Sequence, residues 1–400
     1  MEGKAPAERI EVSPEVLAWA RRSAGYTDAA VAAKKIGTSE AVLARWESGE
    51  VAPTIKQLRK MAKVYRRPLA VLLLSDPPLD FQPVRDFRSA PASGRADEWS
   101  PALRVEFRRA LSQRDVFLEL AELAAGSIQE AEPLPRVRTD SDAEDAADVL
   151  RAALDVAPDR GWSSPYDALN AFLSAVERFG ILVIQTRDVP IREMRGFSVS
   201  ERPFPVIALN GSDWARPRLF TLMHELTHLA INASGLCDLH ETRGRAATSE
   251  DQLEQFCNRV AAATLMPAPV VRSLVANVGP DYAWTLDELA PLSRRFGASR
   301  EAVLLRLVTL GIVTWDLYWA RKPELDAAYE EARRQEVERR RDKETPGGPN
   351  YYVVKARDLG HGYVTTVLDA FRSRSISSLD VADYLEVRFE QLPKLESVLR

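Results

Sequence analysis

The chain has 400 residues, 46% apolar and 28% charged, with a formal net charge of −4. That suits a folded globular protein of two or three domains, since one ordinary core does not organise this length. No apolar run reaches the roughly 18 residues of a membrane span, no apolar signal segment opens the chain, and two cysteines (Cys237 and Cys257) exclude a disulfide framework. A cytoplasmic location without membrane contact is the expectation. The charge is uneven. Between Ser13 and Pro68, eleven Lys/Arg stand against five Asp/Glu, a balance of +6 that leaves −10 for the rest. A basic front on an acidic body marks the front as the place for nucleic acid.

In chain order, residues 14–23 carry Val16, Leu17, Trp19 and Ala20 at helical spacing. Thr27 or Asp28 opens a second helix over 29–36, and Gly37 closes it. Thr38 or Ser39 opens a third that runs to about Glu47. Two helices joined by a short Gly-containing turn have helix-turn-helix spacing. Thr54 opens a further helix at 55–65, with residues 69–74 packing behind it.

These residues resemble the Xre/lambda-repressor-like DNA-binding domain. The likeness is carried by Leu17-Ala18-Trp19-Ala20-Arg21, Ile36-Gly37-Thr38-Ser39, Ala44-Arg45-Trp46-Glu47-Ser48-Gly49, Pro53-Thr54 and Leu58. It implies that the helix after Gly37 enters the major groove and exposes Thr38, Ser39, Glu40, Val42, Leu43 and Arg45. Glu40 and its apolar neighbours suit few base edges, whereas Lys34, Lys35, Arg45 and Lys56 suit phosphates. The expected DNA contacts are Lys34, Lys35, Thr38, Ser39, Arg45 and Lys56. Half-site recognition suits a homodimer.

Asp76-Pro77-Pro78 breaks the helical pattern, and residues 85–101 read as an extended linker. Helical periodicity returns over 102–129, 141–154 and 166–178. Short strands follow at 181–184, 196–199 and 205–210. A small sheet thus precedes the most informative stretch, His224-Glu225-Leu226-Thr227-His228, inside an apolar run at 219–231.

Positions i and i+4 share one helix face, so both imidazoles can grip one metal ion while Glu225 takes a proton from a water activated there. Three ionisable groups on a buried helix are costly unless something satisfies them, and a metal does. A catalytic zinc takes three protein ligands and keeps one position open. Glu254 is the best third donor, at the start of a helix whose stripe is Leu253, Phe256, Cys257, Val260, Ala261 and Leu265 and which Pro267 stops. Cys257, His240 and Glu241 compete for that role. His240 is also a candidate for stabilising the reaction intermediate, and Asn258 for orienting a ligand.

Residues 210–230 together with Glu254, Asn258-Arg259-Val260-Ala261 and Leu265-Met266-Pro267 look like the ImmA/IrrE metallopeptidases. The likeness extends over about 143–314. It implies zinc held by His224, His228 and Glu254, with Glu225 as the catalytic base. It also implies a protein substrate, because members of that family cleave repressors. Related fused forms resemble antitoxins beside toxin genes, which is the alternative reading. There the chain regulates transcription or neutralises a toxin, and the zinc site is structural or weakly active.

A second helix-turn-helix-like stretch lies at 286–308, made basic by Arg294, Arg295, Arg300 and Arg306. Residues 328–344 read as a solvated charged helix, 345–349 as a loop, and 351–400 as a helical tail with a strand-like start at 351–355. The expected fold is mainly α with a small β-sheet (α+β). It comprises a lambda-repressor-like domain (1–76), a linker with connecting helices (77–139), a zincin-like metallopeptidase domain (140–315) and a charged helix with the helical tail (316–400).

Overall fold

A computed structural model describes residues 9–65, 67, 69–78, 99–123, 132–157, 161–232, 235–237, 249–279, 282–342 and 350–399. Most of the linker expected at 85–101, the loop at 345–349, and His240 and Glu241 lie outside them. The chain forms two compact units, Met1–Arg109 and Ala110–Arg400.

The first unit is helical. α1 (Pro14–Ser23), α2 (Ala29–Ile36), α3 (Glu40–Glu47) and α4 (Ile55–Tyr65) surround a core of Leu17, Ala20, Ala33, Ile36, Leu43, Trp46, Leu58, Met61 and Tyr65. Each helix start has its own cap. Ser13 accepts from the Val16 N–H, Asp28 from Ala30 and Ser39 from Val42, while Thr54 and Gln57 bond reciprocally. Gly37 adopts φ +80°, the left-handed conformation that ends α2 and makes the turn. Arg21 grips Glu47 with two nitrogens, at 2.8 and 3.1 Å, and ties α1 to α3. Leu43 corrects the expected recognition face. It is fully buried, because residues 43 and 46 share the core side of α3 at helical spacing.

α5 (Pro101–Leu123) contains the boundary between the units. The second unit continues with α6 (Ala143–Leu154) and α7 (Pro165–Glu177). A sheet follows, of β1 (Leu182–Thr186), β2 (Gly196–Val199), β3 (Val206–Asn210) and β4 (Gly235–Cys237), in the order β1-β3-β2-β4. β1 runs parallel to β3, with Leu182 opposite Val206, while β2 lies antiparallel to β3 and β4, with Gly196 opposite Leu209 and Cys237. All of β1, β2 and β3 is buried, as expected of Val/Ile/Leu-rich strands covered on both faces.

α8 (Ala215–Ala230) crosses between β2 and β4 in the chain and packs on β2 and β3. α9 (Ser249–Leu265) lies along α8, and α6 lies along α9. α10 (Ala268–Leu274), α11 (Leu286–Phe296) and α12 (Arg300–Thr309) complete this body. The 286–308 stretch contributes Leu289, Phe296, Val303, Leu304 and Leu307 to the same core as α8 and α9, so its apolar side is packing. α13 (Trp315–Asp342) begins well before the expected charged segment.

The tail is α14 (Tyr351–Leu359), α15 (His361–Arg372), α16 (Ser378–Tyr384) and α17 (Leu392–Glu396). Its expected strand-like start is a helix. Asn350 accepts from the Tyr352 N–H as a cap, and Lys355, Ala356 and Leu359 form a buried helical stripe that outweighs the β preference of Val353-Val354. α14 packs on β1. At Gly360 (φ +89°) the approach is so close that a Cβ would run into the Val183 carbonyl oxygen. Asp358 pairs with Arg187 of the adjoining loop at 2.8 Å.

Candidate metal centre

α8 has an apolar environment almost all round, and every residue from Thr221 to Ala230 is buried. His224 and Glu225 are 0% exposed and His228 2%. The small residues Ala261 and Ala263 on α9 are fully buried, which lets the two helices run close.

That closeness brings Glu254 onto the histidine pair. His224 Nε2 lies 3.2 Å from one Glu254 oxygen and His228 Nε2 3.3 Å from the other, and the two Nε2 atoms are 3.0 Å apart. Three donors bound to one ion at about 2.0–2.1 Å in tetrahedral geometry would stand roughly 3.3 Å apart. The spacing therefore fits a metal ion. Asn258 Oδ1 faces His224 Nδ1 at 2.9 Å. A carbonyl oxygen there accepts the Nδ1 hydrogen and leaves Nε2 as the free lone pair aimed into the cluster.

The electrostatics match a place built for positive charge. Burial alone would raise the Glu254 pKa, but its bonds to His224 and His228 and their charge bring it down to about 2. Burial works against charge on His228, yet Cys257, Glu254 and Glu225 hold its pKa well above the ordinary value. Cys257, the competing donor, is buried beside His228. Burial pushes its thiol pKa up, and it stands outside the converging trio.

Glu225 projects beside the cluster. Its carboxyl is pushed up first by burial, opposed by His228, His224 and the Ser198 hydroxyl. Among the described residues, neither of its oxygens meets a partner in good hydrogen-bond geometry, nor do the hydroxyls of Ser198 and Thr221, although Ser198 lies close enough to act on the carboxyl. A buried polar atom left without a partner costs about 1–3 kcal/mol by mutation, so these groups are best accounted for by a polar species held beside the trio. Sequence reasoning missed Gly196, Ser198 and Thr221. Gly196 had one available signal, a glycine inside a strand. Its missing Cβ would lie 2.5 Å from Thr221 Cγ2 and 3.3 Å from Glu225 Oε1.

In the first unit, Lys34, Lys35 and Lys56 are exposed at the end of α2 and start of α4. Thr38 is half-buried, the Ser39 hydroxyl caps α3, and Arg45 is exposed but pairs with Glu50 at 2.9 Å.

Family comparison agrees with both units. Residues 176–308 match the IrrE N-terminal-like domain of the M78 peptidases, and residues 17–72 match a helix-turn-helix domain. The chain thus joins an N-terminal Xre-like helix-turn-helix domain to an ImmA/IrrE-like peptidase domain. Among characterised relatives it is similar to the radiation response metalloprotease IrrE of Deinococcus radiodurans, 33% identical over 104 residues, which is 26% of this chain and 30% of the relative. It is also similar to the protein of the same description from Deinococcus deserti, 35% identical over 104 residues, 26% of this chain and 35% of that one. The matched stretch spans about a third of the length of either relative. Among the described residues, no helix is long and apolar enough to cross a membrane.

Proposed function

We propose that this chain is a zinc-dependent endopeptidase tethered to a DNA-binding domain, and that it cleaves a regulatory, repressor-like protein. The observation that carries this reading is the convergence of His224, His228 and Glu254 beside an unsatisfied, fully buried Glu225. Two imidazoles and a carboxylate are a common hydrolase donor set for zinc. A zinc ion held there would polarise the scissile carbonyl and make an attacking water more acidic. Glu225 takes the proton of that water and delivers it to the leaving amine, a task helped by a carboxyl whose pKa burial has raised. Asn258 keeps His224 in the tautomer that a metal needs.

The test is Glu225→Gln in the full chain, assayed on whichever repressor-like protein of its host the parent chain cleaves. Cleavage should fall by about 100-fold or more while zinc content and Tm stay at the parent values. Cleavage that survives the substitution overturns the assignment. If the variant keeps all of the chain's promoter repression or toxin neutralisation and the parent cleaves nothing, the antitoxin reading replaces it.

A further inference from the structure

At the opposite end of α8 lies a cavity of about 510 Å3, bounded by the starts of α7, α8 and α12 and by α13. That volume falls within the roughly 300–1,000 Å3 of small-molecule sites. Its lining is of two kinds. One set is the two arginines Arg216 and Arg300, and the other is Trp214, Tyr329 and Tyr166 with Leu325 and Ala328.

The cationic side is not balanced from within. Arg216 Nε is buried with no hydrogen-bond partner among the described residues. Burial lowers the pKa of Arg216, and the like charges of Arg300 and Arg294 lower it further. Glu301 is the one acidic side chain in the lining, and it is already engaged by Lys322 at 3.0 Å and by the Tyr318 hydroxyl at 3.2 Å. Gathering like charges around a half-buried guanidinium is unfavourable unless an anion joins them. Arginine forks suit phosphate oxygens in particular.

The aromatic side calls for a flat group. Trp214 and Tyr329 stand 5.4 Å apart at 41°, which leaves them as adjoining walls and not as one closed stack. Tyr166 is 55% exposed, with the buried Arg218 guanidinium 5.7 Å from its ring centre. Flat rings stack on aromatic walls of this kind.

We infer that this cavity binds a small anion carrying a flat ring, of the nucleoside monophosphate class. The site is separate from the metal cleft. It is nonetheless joined to it by one rigid element, because His224 lies eight residues beyond Arg216, about 12 Å along the same helix. The inference does not depend on the peptidase reading, since its readout is binding.

The experiment titrates the full chain with AMP, GMP, CMP and UMP, following tryptophan fluorescence and heat. Adenosine and inorganic phosphate serve as the two half-ligands. At least one monophosphate should bind saturably, and more tightly than either half-ligand. Arg300→Ala and Tyr329→Ala should each weaken that binding by about tenfold or more, with an unchanged melting curve. Arg300 is exposed at the first turn of α12, so its loss spares the fold. The proposal is overturned if no monophosphate binds, if inorganic phosphate binds as well as the nucleotides, or if both folded variants bind like the parent.

Discussion

Gly196 sets how closely β2 lies on α8, the helix of the histidine pair. A methyl group there meets Thr221 Cγ2, the Ala208 carbonyl oxygen at 3.1 Å and the Glu225 carboxyl. Two of these neighbours are parts of packed elements and cannot yield. Gly196→Ala should therefore lower stability by about 1–3 kcal/mol, read by urea unfolding, and displace Glu225. Peptidase activity should fall further than the stability loss explains, at a temperature where the variant is fully folded. An active variant of parental stability would refute this account. The histidine pair was legible in the sequence because its information is local, whereas Glu254 stood among competing donors until α9 was seen packed on α8. His224 and His228 share a face by their spacing, and the stripe through Cys257 and Ala261 turns Glu254 toward them. Gly196, Ser198 and Thr221 were not, because their role exists only once a strand is laid across a helix. The cavity at the other end of α8 was hidden for the same reason. Its lining comes from five helices spread over residues 165–332.

At the scale of elements, the contact between α7 and α15 carries a titration. The Glu177 carboxyl accepts the Gly362 N–H at 3.2 Å, and burial raises its pKa to about 7 against that bond. A folded-state pKa above the unfolded value near 4.5 means that this group's stabilisation is complete below pH 4.5 and is lost as pH rises through about 7. Glu177→Gln should accordingly raise Tm at pH 8 by about 2 °C, and flatten the decline between pH 5 and 8. An unchanged pH profile would show that the carboxyl is not held in its neutral form. Most helices were legible from caps and periodicity, as at Ser39, Thr54 and Gly37. α10 and two further elements were not. β4 is three residues long, and pairing with β2 defines it more than any pattern of its own. The start of α14 has the β-branched and aromatic residues of a strand, yet tertiary burial of Lys355, Ala356 and Leu359 decides for helix.

For the molecule as a whole, the tail has a structural place that its sequence did not disclose. It covers β1, one of the two edge strands. Unpaired edges invite strand pairing between chains. A chain ending at Asp342 should lose about 5 °C or more in Tm and scatter light on standing, and a monodisperse product of parental Tm would disprove that role. The basic stretch at 13–68 and the motif at 224–228 fall in different units, whose boundary at Arg109/Ala110 lies well beyond the break expected at 76. Glu254 adds a consequence in time. His224 and His228 are sealed, while the Glu254 side chain is 24% exposed. Among the described residues, Glu254 is therefore the member of the trio through which an ion would meet solvent. Loading and stripping by a chelator would then be slow, first-order events paced by the opening turn of α9, however tight the equilibrium binding is.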